Sequence, residues 1–224
     1  MSTYPFQTSA TVFRPWVAAA AILCQGATTM AKEEEPAFTV AEKDGAVEVR
    51  NYAPTVWAQT LVGGDFASST DEGFNRLFRY ISGENKGGAK IPMTAPVGQT
   101  AAGAGPDGAP EKIPMTAPVA QTKSGDRWAI RFMVPSKYDK TSAPAPTSTE
   151  VTIEEEPART VAVVTYSGTW KQTKYETKKS ELTTWVSAHG YNVAGEPTIA
   201  RYDPPWTLPF LRRNEVHIPV EKVR

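Results

Sequence analysis

The sequence predicts an α+β fold in which two helices lie on a curved antiparallel sheet. In each half of the chain, short stretches of alternating apolar and polar residues precede one amphipathic stretch of helical period, and further short strands follow it. Segments rich in proline and glycine separate these blocks at 101–110 and 142–149. The halves share this order of elements but negligible sequence identity, so the repeat exists only at the level of pattern.

The first half begins with a predicted hairpin and a third strand. Phe38–Lys43 and Val47–Tyr52 alternate in polarity and are separated by Asp44-Gly45, a dipeptide typical of tight turns. Thr55–Val62 continues the β pattern.

A helix is predicted next. Ser69 followed by Glu72 has the form of a capping box. Apolar residues then recur at helical spacing, at Phe74, Leu77, Phe78 and Ile81, and Gly83 ends the pattern.

The second half is predicted to repeat this plan. Val151–Glu155 and Arg159–Tyr166 are predicted strands, and a helix is predicted from Lys171 to His189, before Gly190. Short strands are predicted at Ile199–Tyr202 and Glu215–Val220.

One segment of the chain is written twice. KIPMTAPVGQT at Lys90–Thr100 and KIPMTAPVAQT at Lys112–Thr122 agree at ten of eleven positions and flank a Gly/Pro insertion at 98–111. Each copy alternates apolar and polar residues, and its two prolines remove backbone donors, which predicts a strand at an edge of the sheet or where the sheet opens. Such a strand could border a groove, or its prolines could only protect the edge from wrong pairing. We expect the second copy to form the main strand, paired with Arg127–Val134.

Composition excludes several classes of protein. Lys+Arg and Asp+Glu both number 24, which argues against a nucleic-acid binder. Cys24 is the only cysteine, so no intramolecular disulfide or cysteine-based zinc site can form. The two histidines, His189 and His217, are too few for a site built on several histidines.

The first 31 residues are predicted to lie outside the fold. Trp16–Cys24 is a nine-residue apolar run after Arg14, which is too short to span a bilayer but matches the core of a signal peptide. The prediction is export to the periplasm or beyond, with no integral membrane span. The alternative is a cytoplasmic protein that starts at Met30.

Three stretches together resemble the SOUL haem-binding family. They are FNRLFRYISGENKG on the first helix, the KIPMTAPV segments, and YDPPWTLPFLRRNEV near the C-terminus. The resemblance covers residues 36–223 and implies one domain, a distorted antiparallel β-barrel flanked by two helices, with pseudo-twofold β-α-β halves. It also implies kinship of fold with bacterial effector-binding domains that hold flat, apolar molecules.

The resemblance further implies a haem site between the first helix and the C-terminal loop. The positions that match are Phe74, Phe78 and Arg79 on the helix and Trp206, Leu208 and Phe210 in the loop. Arg79 could pair with a propionate. Family members can have methionine where this chain has Phe74.

Ordinary structural roles compete with these assignments. Phe74 and Phe78 lie on the apolar stripe and fit core packing, whereas Arg79 fits a solvated helix face. Trp206 fits a lid over the core. Arg212 and Arg213 fit a structural cluster of ion pairs and hydrogen bonds.

Axial ligation of the iron has only weak candidates. His217 is the candidate for an axial ligand, although a strand histidine commonly faces solvent. His189 fits an interaction with the last carbonyls of its helix, and Met93 and Met115 fit apolar filling. The resemblance implies that no strong axial protein ligand is required.

The leading interpretation is a non-enzymatic protein that binds haem or a related tetrapyrrole non-covalently, for carriage or buffering. The alternative is a binding module for another flat amphipathic molecule. An enzyme acting on haem or bilins is a third reading, for which the sequence shows no catalytic constellation. A structural or partner-binding role is a fourth.

Overall fold

Ten strands and two helices make up the described part of the protein. The computed structural model describes residues 34–86 and 118–223, in addition to Met1. The strands are β1 (Phe38–Asp44), β2 (Val47–Tyr52), β3 (Thr55–Val62), β4 (Val119–Ser124), β5 (Arg127–Met133), β6 (Val151–Glu156), β7 (Arg159–Tyr166), β8 (Tyr191–Val193), β9 (Thr198–Arg201) and β10 (Asn214–Lys222). The two α-helices are α1 (Phe66–Ile81) and α2 (Gln172–Ala188), and a short 3₁₀ helix spans Pro209–Leu211.

The strands form one antiparallel sheet in the order β1-β2-β7-β10-β9-β4-β5-β3-β6, with β8 paired to β10. Outward from the central pair β4–β9, the order is β5, β3, β6 on one side and β10, β7, β2 on the other. The two halves are therefore related by a pseudo-twofold axis, and they exchange one strand each, since β2 pairs with β7 and β6 pairs with β3. This arrangement confirms the predicted α+β class, the two helices and the repeated halves.

The sheet is open and does not close into a barrel. Its end strands are β1 and β6, and no ladder joins them among the described residues. The strong right-handed twist of antiparallel strands curves such a sheet without closing it.

Both helices contribute to one apolar core on the same face of the sheet. Leu77 of α1 and Leu182 and Val186 of α2 are fully buried against alternate residues of the strands, such as Ile130 and Ile218. Burying side chains of this size stabilises the fold by roughly 1.5–3 kcal/mol each.

Helix α1 begins earlier than the sequence predicts. Its N-cap is Asp65, whose Oδ1 accepts hydrogen bonds from the amides of Ala67 and Ser68, both at 2.9 Å. The predicted capping box at Ser69 is wrong, because Ser69 lies inside the helix and is buried, and its hydroxyl accepts a bond from Gln121.

The end of the second KIPMTAPV copy lies in the middle of the sheet. Val119–Thr122 belong to β4, which pairs with β5 as predicted and also with β9. The edge prediction is therefore wrong for this described part. Pro118 directly precedes β4, where a missing amide donor costs no ladder bond. The first copy and residues 112–117 of the second lie outside the described residues.

No described helix is long and apolar enough to cross a membrane.

Candidate functional site

The loop between β9 and β10 exposes a cluster of large apolar side chains. Trp206 is 59% exposed and Phe210 is 69% exposed, and Leu208 and Leu211 are exposed to a similar degree. These four residues are called the apolar loop below. Exposed apolar residues are common when scattered singly, but several large ones in six residues indicate a contact surface.

The apolar loop is held in place by polar contacts. The amide of Gly168 donates to the carbonyl of Pro209 at 2.8 Å. Arg212 donates through Nε to the carbonyl of Thr207 at 2.7 Å and through a terminal nitrogen to that of Pro205 at 2.6 Å. The exposed side chains therefore extend from a stiff backbone, so that ordering them on a ligand costs less entropy.

The predicted helix residues are mostly occupied with packing. Phe74 and Phe78 are half-buried and stack on each other with ring centroids 6.1 Å apart, and Phe74 meets Phe132 edge-on at 5.2 Å. The Arg79 side chain is exposed and faces Glu84 at 3.4 Å. The helix positions thus offer partial aromatic surface, whereas more than half of each side chain of the apolar loop is exposed.

Cross-strand neighbours link the two groups of predicted site residues. Phe132, which Phe74 contacts, pairs with Val119, and Val119 pairs with Arg201 at the end of β9, where the loop begins. Phe74 and the apolar loop therefore lie at the same end of the sheet. Residues 87–117, which join α1 to β4, lie outside the described part of the chain.

A cleft of 470 Å³ opens beside the apolar loop, between the first turns of the two helices. It is lined by residues 65–67 and 170–173. Trp170 joins the cleft to the loop, because the guanidinium of Arg212 lies 4.4 Å from the centre of its ring. The indole is fixed by a 2.8 Å hydrogen bond from its Nε1 to Asn214. The volume lies within the range of small-molecule sites.

Arg201 is buried beneath this cleft. It is 6% exposed, and its guanidinium carbon lies 5.2 Å from the ring centre of Phe66 and 5.6 Å from that of Trp170. Its terminal nitrogens donate to Thr70 and Gln121, while Nε has no hydrogen-bond partner among the described residues. Burial lowers the pKa of Arg201 to about 10, which reflects the cost of an incompletely compensated cation.

A second cluster of charges surrounds Glu215 on the sheet face opposite the helices. The fully buried carboxylate accepts from Arg50 at 3.0 Å, from Tyr202 at 2.8 Å and from Arg213 at 3.1 Å, and lies 2.8 Å from Nε2 of His217. Arg213 also makes a bidentate contact with Glu35. Arg213 therefore belongs to a structural cluster of ion pairs and hydrogen bonds, which is the alternative role that the sequence indicates for it.

Neither histidine is arranged as a ligand for iron. His217 is buried, its Nε2 is bound to Glu215, and the cavity that it lines has a volume of 20 Å³, room for about one water molecule. His189 stacks on Trp185 at 3.9 Å, and its Nδ1 lies 2.8 Å from the carbonyl of that residue. The described residues hold no group of three or more His, Cys, Asp or Glu suited to a metal ion. Met93 and Met115 lie outside them.

Most of the chain matches one known protein family. Residues 33–219 match the model of the family described as SOUL heme-binding protein. The chain belongs to the SOUL heme-binding protein family.

Relatives of this SOUL-family protein are similar over part or most of its length. Heme-binding protein 2 of Homo sapiens is 32% identical over 126 residues, which cover 55% of this chain and 53% of the human protein. The chain therefore spans about half the length of that relative. Heme-binding protein 1 of Xenopus laevis is 28% identical over 177 residues, covering 78% of this chain and 84% of the relative.

Solved structures show the same fold at low sequence identity. The crystal structure of the EcmrR C-terminal domain superposes with a TM-score of 0.55 at 14% identity, covering 79% of this chain and 98% of that one. The EcmrR–DNA complex gives a TM-score of 0.54 at 16% identity, covering 79% of this chain and 57% of that one.

Sequence reasoning missed two residues of the candidate site, Trp170 and Arg201. Trp170 lies in the loop between β7 and α2, which has no regular period. Arg201 had a signal, since it occupies the same strand face as the buried Ile199. A cation on the core face of a short strand is uncommon and marks a position to inspect.

Proposed function

We propose that this protein binds haem or a related tetrapyrrole non-covalently, without catalysing a reaction on it, and thereby carries or buffers it. Membership of the SOUL family supports haem as the ligand. The observation that carries the proposal is the apolar loop, which presents two aromatic rings and two leucines to solvent from a stiff backbone.

The residues present fit the chemistry of a planar apolar macrocycle. Trp206, Leu208 and Phe210 would cover one face, and the exposed edges of Phe74 and Phe78 extend the aromatic surface from the helix. Bound haem would supply the chemistry of its iron porphyrin, together with a strong Soret absorption band. The protein would supply apolar area and exclude water from it. With both histidines engaged elsewhere, recognition rests on shape and apolar contact and not on a strong axial ligand.

Titration of haemin into protein that begins at Ala31 tests the proposal. We expect a saturable Soret change at micromolar protein. Covering the exposed part of a phenyl ring is worth about 2 kcal/mol, so that Phe210→Ser should weaken binding about 30-fold. Val193→Ser also replaces an apolar side chain with serine, at a half-exposed position of β8, and should leave binding unchanged.

Four outcomes would contradict the proposal. Absence of saturation removes haem as the ligand. Equal affinity of Phe210→Ser and the parent removes the apolar loop from the site. Production of a bilin from bound haem in the presence of a reductant would replace binding by catalysis. A Phe78→Asp variant that folds and binds as well as the parent would remove the helix from the site.

We also propose that the protein is exported. The apolar run Trp16–Cys24 after Arg14 supports a signal peptide. Fractionation of cells that express the full chain should place a shortened form outside the cytoplasm. Full-length protein, or protein starting at Met30, in the cytoplasm would contradict export.

A further inference from the structure

The first turns of α1 and α2 meet at the cleft. Phe66 at the start of α1 stacks on Tyr175 in α2 with ring centroids 5.8 Å apart and planes 19° from parallel. Helix N-termini carry unbonded amide donors and the positive end of the helix dipole, so two of them side by side create a positive potential between them.

The two helix starts differ in how their donors are satisfied. Asp65 caps α1 with its carboxylate. The N-cap of α2 is Lys171, which makes no side-chain capping bond. A lysine at this position adds a cation where a carboxylate or hydroxyl would stabilise the helix. Asp65 is the only carboxylate among the described residues that line the cleft, and it is engaged in capping α1, so that the start of α2 has no capping anion there.

A buried cation independently marks the same place. Arg201 lies against Phe66 and Trp170, which line the cleft, and its hydrogen bonds to described residues go to Thr70 and Gln121 and not to a carboxylate. Asp71 acts on it only through space. A guanidinium that is 94% buried without a bonded counter-ion costs stability. An anion in the cleft would offset that cost.

We infer that the cleft binds a carboxylate of the ligand, at the uncapped N-terminus of α2 and above Arg201. This inference rests on the proposed function and identifies the carboxylate as a propionate of the tetrapyrrole whose face lies on the apolar loop. Trp170 connects the two parts, since it lines the cleft and contacts Arg212 at the base of the loop. Arg79, the residue predicted for this role, is exposed and engaged with Glu84 instead.

Esterification of the ligand tests the carboxylate directly. Protoporphyrin IX and its dimethyl ester present the same ring, and only the acid carries negative charge. One charge-assisted contact corresponds to a preference of about tenfold or more, so we expect the acid to bind the parent protein at least tenfold more tightly, as measured by Soret titration.

Lys171→Asp tests the location of the carboxylate site, because it should raise the stability of the protein and lower its affinity for the acid. The new carboxylate should cap α2 and raise Tm by about 2–4 °C. It should also occupy the donors that the ligand needs, so that affinity for the acid falls at least tenfold and affinity for the ester does not fall. Lys140→Asp makes the same change of charge in a loop beside Glu154 and should leave both affinities unchanged.

Arg201→Met tests the buried cation. Thr70 and Gln121 keep partners without it, because the Thr70 hydroxyl lies 2.7 Å from the carbonyl of Phe66 and 2.9 Å from Gln121 Oε1, and Gln121 Nε2 donates to the carbonyl of Phe66 at 3.1 Å. We expect Tm to stay level or rise, because the buried charge is gone, while the preference for acid over ester shrinks.

The outcomes separate the two proposals. If neither porphyrin form binds saturably to the parent protein, the proposed function fails and this inference fails with it. If both forms bind equally well and Lys171→Asp binds the acid as the parent does, the carboxylate site is wrong and the proposed function stands. A fall in affinity for both forms in Lys171→Asp would mean a general loss of the binding surface, and would also contradict the carboxylate site.

Discussion

Glu215→Gln should be among the most destabilising single changes in this protein. The Glu215 carboxylate is the anion shared by two arginines and His217, and it is completely buried. Glutamine has the same shape but is neutral, and its amide group would bring two donors into a cluster of donors. The positive charges of Arg50 and Arg213 would then be only partly neutralised.

Removal of one partner from a buried ion pair typically costs about 3–5 kcal/mol. For a domain of this size, each kcal/mol lowers Tm by roughly 2–4 °C, so the expected fall is roughly 6–20 °C. Arg50 retains Glu48 and Arg213 retains Glu35, which places the expectation at the lower end of that range.

Urea denaturation of the parent and variant at pH 7 measures the difference in the free energy of unfolding. Glu181→Gln is the matched control, because its carboxylate is 53% exposed and pairs with Lys178 on the surface of α2. An exposed pair of this kind contributes about 1 kcal/mol or less. If Glu215→Gln costs no more than Glu181→Gln, the buried cluster does not stabilise the fold and the reasoning is wrong.

The same carboxylate predicts a dependence of stability on pH. Burial alone would raise the pKa of Glu215, but the hydrogen bond from His217 and the charges of His217, Arg50 and Arg213 outweigh it and hold the pKa far below its ordinary value. A lowered pKa in the folded state gives stability that is present above the unfolded pKa, about 4.3, and is lost as pH falls below it. The parent should therefore lose stability more steeply than Glu215→Gln between about pH 5 and pH 3. If the free energy of unfolding falls with pH at the same slope in the parent and in Glu215→Gln across that interval, this assignment is wrong.

Three further changes should alter stability by amounts that the local contacts predict. Gly73→Ala should destabilise by about 1–3 kcal/mol, because a Cβ there would overlap the side chain of Ile130, and an unchanged urea midpoint would show that the helix can shift to make room. Asp65→Ala should cost about 1 kcal/mol by removing the N-cap of α1, and a thermal unfolding midpoint equal to that of the parent would show that the cap contributes nothing. Trp185→Phe should cost about 1 kcal/mol through loss of the 2.8 Å hydrogen bond to Asp44, so the variant should match a Trp185→Phe/Asp44→Ala double variant more closely than the parent.

Most elements could be predicted because their signals are local. Val47–Tyr52, Thr55–Val62 and Arg159–Tyr166 were predicted with the observed bounds, since alternation sets each strand and a turn residue or proline ends it. β8 has three residues after Gly190 and too little sequence to show any period.

The misplaced start of α1 shows where local signals stop. Asp65 and Ser69 are both residue types that cap helices, and sequence alone cannot rank them. The choice is made by tertiary contacts, because Ser69 is buried beside Gln121, 52 positions later in the chain. The cleft could not be predicted from the sequence for the same reason, because Phe66, Trp170 and Arg201 come from three distant segments of the chain.

The pseudo-twofold axis explains why the cleft is polarised. Ala120 and Ala200 face each other in the β4–β9 ladder, and about an axis that passes through this pair Gln121 and Arg201 occupy equivalent positions under the helices. The neutral residue is satisfied within the protein, by Phe66, Ser69 and Thr70, whereas the charged one retains an unbonded Nε.

The N-cap positions of the two helices break the symmetry in the same direction. One is Asp65, which caps its helix, and the other is Lys171, which does not. Both departures, glutamine to arginine and aspartate to lysine, add positive charge around the cleft, the first between Phe66 and Trp170 and the second at the start of α2. Fold stability alone would favour the neutral residue and the capped helix at both positions. An anionic ligand that binds at this end of the cleft accounts for both departures at once.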